Sequence, residues 1–138
     1  QSHYSEPHTW NKDAPAVKKM MRTPNTYGYF TATYTPIKPL SIALSGTYTG
    51  SMLVPHEPVP GFLENPITVN TKDFFDIGLK AAYDFKLYKS MNLQINAGIQ
   101  NIFNAYQNDF DKGADRDSGY IYGPSLPRSF FAGVKISY

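Results

Sequence analysis

From about residue 26 onward the chain alternates apolar and polar positions with a period of two, the mark of β-strands whose two faces meet different surroundings. The first stretch, 27–34, sets Phe30, Ala32 and Tyr34 against Tyr29, Thr31 and Thr33. It ends at Pro36 and Pro39, which predict a tight, non-helical connection. The second stretch, 40–54, sets Leu40, Ile42, Leu44, Gly46, Tyr48 and Met52 against small or hydroxylated residues from Ser41 to Ser51. Read as one strand, it spans about 50 Å at ~3.3 Å per residue. The third, 73–85, sets Phe75, Ile77, Leu79, Ala81, Tyr83 and Phe85 against Asp76, Gly78, Lys80, Ala82 and Asp84. The fourth, 92–103, carries Leu93, Ile95, Ala97 and Ile99 on one face. The last, 128–138, carries Phe130, Ala132, Val134, Ile136 and Tyr138. Residues 1–25 are polar and irregular, with a short helical turn expected over 14–22.

The connections run short, long, short, long: 35–39, 55–72, 86–90 and 104–127. No segment has the helical spacing that a βαβ crossover needs, so the pattern predicts an all-β antiparallel meander of about five long strands. The expected division is 1–25 as an outer loop segment and 26–138 as the strand region.

Composition decides which solvents remain open. Thirteen Lys and Arg against eleven Asp and Glu give a net charge of +2, too balanced to predict a nucleic-acid partner. With no cysteine, disulfides, thiolate metal sites and cysteine nucleophiles are excluded. No apolar run exceeds three residues, so no transmembrane helix is present in the sequence. A transmembrane β-barrel hides its signal in alternation, and a mean hydropathy of -0.40 does not exclude one. The N-terminus QSHYSEPHTW has neither an initiator Met nor a secretory signal, and the chain is expected to be a piece of a longer protein.

The alternation itself fits either a soluble sandwich with apolar side chains inward or a lipid-facing sheet. Three features favour lipid. The strands reach the ~9–11 residues that cross a bilayer at the usual tilt. The loops alternate between short and long, and aromatic residues gather at strand ends, as in outer-membrane barrels. Five strands cannot close such a barrel, because two edges would stay unpaired in hydrocarbon. On this reading the other strands belong elsewhere.

Three segments narrow the reading further. The final strand, ending in Tyr138 with apolar residues at every second position before it, resembles the terminal strand of bacterial outer-membrane barrels. The segment AGIQNIFN, 97–104, resembles the penultimate-strand signature of TonB-dependent receptors. The stretch DSGYIYGPSLPRSFFAG, 117–133, resembles the same family, with Gly123, Pro124, Pro127, Arg128 and Gly133 at the matching places. The resemblance covers about 26–138 and is most specific over 93–138.

The resemblance implies the last five strands of a barrel of about 22 strands that encloses a plug domain. It implies a receptor of the bacterial outer membrane for energised import of a scarce ligand, first of all a metal chelate such as a ferric siderophore, haem or cobalamin. The implied partners are the remainder of the barrel and its plug, the TonB complex reached through that plug, the barrel-assembly machinery and the membrane itself. Phe130, Val134, Ile136 and Tyr138 would carry the assembly signal. The alternatives are an importer of glycans or peptides working with a surface lipoprotein, a non-transporting barrel (adhesin or enzyme), and a soluble β-sandwich.

Within that frame the ligand-facing candidates are His3, His8, Trp10, His56, Phe62, Tyr106, Asp109, Asp111, Arg116, Tyr120 and Tyr122, all in predicted loops. The acidic run Asp109, Asp111, Asp115 and Asp117 has the alternation of a calcium loop. The sixth and twelfth positions counted from Asp109 hold Ala114 and Tyr120 instead of the required Gly and Glu. The expectation is therefore no metal, and a solvated loop with Lys112 and Arg116 facing its carboxylates. Asp76, Lys80 and Asp84 are expected to pack against a plug. No serine stands in a Gly-x-Ser-x-Gly turn and no histidine falls in a predicted strand, so neither a cofactor nor an enzyme is expected.

Overall fold

The structure is a computed structural model that describes residues 2–88 and 90–138. Gln1 and Lys89, the latter within the predicted 86–90 connection, lie outside the described residues. The described chain is all-β, with nine strands and no helix. It divides into two compact units. One comprises 1–27, 48–74 and 106–124, and the other 28–47, 75–105 and 125–138. The two long connections group with the N-terminal segment rather than with the strand region.

The sheet unit is a five-stranded antiparallel meander. It is built from β3 (Tyr27–Ile37), β4 (Leu40–Thr49), β7 (Phe74–Lys86), β8 (Asn92–Gln100) and β9 (Ser129–Ser137), in that order across the sheet. Register aligns like with like. Phe85 pairs with Leu93 and Leu93 with Ile136. Tyr83, Ile95 and Val134 form the next row, then Ala81, Ala97 and Ala132, then Leu79, Ile99 and Phe130. One residue of slip would exchange the two faces, so this register preserves a continuous apolar face. Opposite it, Asp84, Gln94 and Lys135 form a polar row, and Gln94 donates to Asp84 at 2.7 Å. Gly98 stands opposite Phe131. A Cβ there would meet the Phe131 ring and come within 2.6 Å of the Leu79 carbonyl, so only glycine fits.

The loop unit holds nearly all the core. Ala14, Met52, Leu53, Val54, Val59 and Tyr120 are its buried apolar residues, whereas among the described residues of the sheet unit the one buried apolar side chain is Ala82. Its strands are β1 (His3–His8) with β2 (Val17–Lys19), and β5 (Leu53–His56) with β6 (Ile67–Asn70).

Three expectations change. The helical turn over 14–22 is absent. Val17–Lys19 pairs with β1 instead, because a β-branched residue shortly after Pro15 suits extended backbone better than helix. The 40–54 stretch is not one strand. It ends at Thr49, where the Gly50 N–H donates to the Thr26 carbonyl at 2.8 Å. A Cβ at Gly50 would also stand 2.8 Å from that oxygen, so this crossing requires glycine. Beyond it Met52, Leu53 and Val54 are buried in succession, which a one-sided strand cannot do. The 92–103 stretch stops at Gln100, since Asn101 and Asn104 take left-handed φ values of 49° and 51°. Asn101, 1 % exposed, donates to the Ala105 and Leu126 carbonyls and accepts from the Ala105 N–H. Asn104 accepts from the Arg128 N–H at 3.0 Å. The two asparagines thus tie the long connection at both ends where it leaves β8 and enters β9.

Candidate functional site

The loop unit concentrates the side chains with unusual environments. The β5–β6 hairpin brings His56 to the end of β5, paired with Ile67. Thr71 fastens the far side of the hairpin: its hydroxyl accepts from the Met52 N–H at 3.0 Å, and its own N–H donates to the Met52 carbonyl at 2.9 Å. Met52, Val54 and Tyr120 form the apolar cluster, with Val69 and Tyr122 packed against it.

His56 and Asp111 are buried, with side chains 8 % and 7 % exposed, and His56 Nε2 lies 2.8 Å from Asp111 Oδ2. Asp111 Oδ2 also accepts from the Asp117 N–H at 3.1 Å. Asp117 in turn accepts from the backbone N–H groups of Glu57 (2.9 Å) and Gly119 (2.8 Å). The His56 ring stacks face to face on Tyr120, with centroids 4.0 Å apart and planes 7° from parallel.

Asp109 accepts the phenol hydrogens of both Tyr120 and Tyr122. Burial pushes its carboxyl up, but the hydrogen bonds from Tyr122 and Tyr120, with further ones from its own backbone and Gln107, outweigh this and hold it below the ordinary carboxylate value. The tyrosines move the other way. Burial, then the bond to Asp109, pushes Tyr120 up to about 12, and the same causes raise Tyr122. Gln107, buried, donates to the Tyr120 carbonyl and accepts from the Tyr122 N–H, each at 3.0 Å. Arg22 donates to the Gly119 carbonyl at 2.6 Å. The connection 106–124 is therefore a built object with a hydrogen-bonded interior.

Several predicted residues come together here: His56, Asp109, Asp111, Tyr120 and Tyr122 share one network. His56, Asp109, Asp111, Tyr120 and Phe62 also line one open cleft. The others stand apart. His3 and His8 are exposed on β1, where His8 lies beside Tyr4 at 4.9 Å between centroids. Trp10 is half-buried and its Nε1 has no hydrogen-bond partner. Tyr106 is exposed. Arg116 donates to the Gly113 carbonyl, not to a carboxylate. The solvated loop held by Lys112 and Arg116 is thus replaced by one whose carboxylates turn to His56, to phenols and to backbone N–H groups. The calcium arrangement drawn from Asp109, Asp111, Asp115 and Asp117 does not form, because three of the four are engaged by separate protein donors. Among the described residues no three His, Asp or Glu side chains are grouped to hold a metal ion.

Sequence reasoning missed Gln107, Thr71, Glu57 and Arg22. Gln107 and Thr71 act across long sequence separations with no local motif. Asn101 had a signal, the Asn-x-x-Asn spacing of the AGIQNIFN segment. No family model, curated protein or solved structure matches the chain.

Proposed function

We propose that the chain forms the last five strands and two ligand-capturing loops of a TonB-dependent receptor in a bacterial outer membrane. The receptor imports a scarce metal chelate of the ferric siderophore, haem or cobalamin class. The observation that carries this reading is the bare apolar face of the sheet. Phe130, Val134 and Ile136 are 78 %, 66 % and 61 % exposed, in rows that continue across β8 and β7. Contiguous apolar surface of this kind is not left to water, and hydrocarbon is the solvent that matches a continuous apolar face with a polar reverse. The β3 and β9 edges supply backbone groups for the remaining strands. The polar face, with Lys80, Asp84 and Lys135, would meet the plug or the lumen. The terminal Phe130, Val134, Ile136 and Tyr138 would be read by the assembly machinery.

The test is depth labelling of the protein that carries this chain, in an otherwise cysteine-free background. Single cysteines replace Ile95 and Val134 on the apolar face, and Gln94 and Lys135 on the polar face. Probes on the first pair are expected to be quenched by lipid-attached quenchers, and those on the second pair by water-soluble ones. Equal access of water-soluble reagents to all four would replace this reading with a soluble β-domain. Uptake of ferric chelates, haem and cobalamin is then measured with and without TonB. Accumulation of one of them that stops without TonB is expected. Accumulation that persists without TonB would make it a passive channel, and no accumulation of any of them would leave a non-transporting barrel.

A further inference from the structure

The loop unit holds an open cleft of about 620 Å³, within the ~300–1,000 Å³ of small-ligand sites. The His56–Tyr120 stack contributes to its lining, and two loops supply the rest. One runs over 59–62 and the other over 109–115. Each turns on a glycine in left-handed backbone, Gly61 at φ 77° and Gly113 at φ 100°. Phe62 is 79 % and Phe110 47 % exposed, although the same unit buries Val54, Val59 and Tyr120. Two phenyl rings are thus held at a cavity rather than in the core beside it.

One ring nitrogen of the lining histidine and the hydroxyl of the lining tyrosine are already engaged. His56 is bonded to Asp111, and the Tyr120 hydroxyl to Asp109. Phe62 and Phe110 offer a guest ring faces, and the acidic lining residues offer formal charge. Among the lining residues the carboxylates of Asp109, Asp111 and Asp115 outnumber the single ammonium of Lys112. Ring faces carry the negative end of the aromatic quadrupole, so rings and carboxylates favour the same guest. The protein's own ammonium already adopts this geometry: Lys112 Nζ lies 5.8 Å from the Phe110 ring centroid, inside the ~6 Å reach of a cation–π contact.

We propose that this cleft binds a small organic ammonium cation against Phe62 and Phe110, with Asp115 as counter-charge and Lys112 as the internal occupant that the guest displaces. The carboxylates alone would not define the site, since Asp109 and Asp111 are engaged; the two exposed rings select the guest. The inference uses contacts within the loop unit only and stands whether or not the sheet faces lipid.

The test titrates the full chain in detergent with choline and with its uncharged tert-butyl isostere, followed by saturation-transfer NMR. Saturable choline binding is expected, with the isostere about tenfold weaker or more. Phe62→Leu and Phe110→Leu keep the bulk but remove the ring face, and each is expected to weaken choline by about three- to tenfold. Both positions are exposed, so the fold should survive. Lys112→Gln removes the competing ammonium and is expected to tighten choline binding, a result that a merely structural role would not produce. Equal binding of the two probes, no saturable choline binding, or weaker binding by the Lys112 variant would each overturn the site. None of these results bears on the lipid-labelling outcome, so the two readings fail separately.

Discussion

The two units hold themselves together in opposite ways. The loop unit buries apolar side chains and then locks polar ones over them, as in Val54 beneath the Tyr120–Asp109–Tyr122 and His56–Asp111 contacts. The sheet unit buries almost nothing. Its order comes from backbone ladders and in-register rows, and its largest apolar side chains are exposed. The connections thus carry a core that a soluble domain would have, while the regular strands lack one. Regularity of secondary structure and possession of a core are separate properties. A strand of perfect alternation specifies a face but not what covers it, whereas an irregular connection must satisfy its own polar groups to persist.

The sharpest way to break that contrast is at the buried pair. Asp111→Asn leaves His56 without its carboxylate, and is expected to destabilise the loop unit by about 3 kcal/mol, read as loss of protease resistance in 106–124 with the sheet ladders intact by hydrogen exchange. Loss of both together would show one cooperative body. Next in size is Val134→Lys on the bare face. In lipid it should cost about 2–4 kcal/mol near the midplane, measured by refolding into vesicles, whereas a face in water would tolerate it. Val54→Ala should cost about 2 kcal/mol through a cavity in the loop core, by denaturant titration. The matching Ala132→Gly on the sheet should stay within about 1 kcal/mol.

The smallest effect is the pH response of the Asp109 network. Asp109 is lowered, so its contribution is present above the ordinary carboxylate value of 3.8 and is lost as pH falls through the lower folded one. Tyr120 is raised, so its contribution is complete below 10.0 and is lost as pH rises through about 12. Tyrosinate absorbance should show Tyr120 ionising after the exposed tyrosines, and earlier in Asp109→Asn. A single transition of all eleven tyrosines near 10.0 would remove the network from the account.

Much of the sheet was legible because its signal is local. Period-two spacing placed β3, β7, β8 and β9 to within a few residues, and the proline and loop pattern placed the short and long connections. The error at 40–54 is instructive. Alternation runs on through Met52, because even-numbered positions stay apolar, yet Gly50 turns the chain to a different partner. Nothing local records that Thr26 sits opposite. The extension to Phe103 failed for the opposite reason: Asn101 and Asn104 stand among apolar residues, and their left-handed backbone matters only once Leu126 and Arg128 are brought near.

The candidate site shows the same division. His56, Asp109, Asp111, Tyr120 and Tyr122 could be picked as chemistry-bearing loop residues, but not as one network, because His56 and Asp111 are 55 residues apart. Local spacing argued against a calcium loop and for lysine or arginine counter-charges. The fold instead turned those carboxylates toward phenols, an imidazole and backbone N–H groups.

By itself the sequence determined an all-β chain, the alternating faces, the strand rhythm and the exclusion of cysteine and transmembrane-helix chemistry, since each depends on neighbours within a few residues. Tertiary structure alone decided that the long connections own the core, that three acidic side chains are engaged, and that two phenylalanines border a cleft. Burial and hydrogen bonding join residues by distance in space, and a linear pattern carries no record of which distant segments will meet.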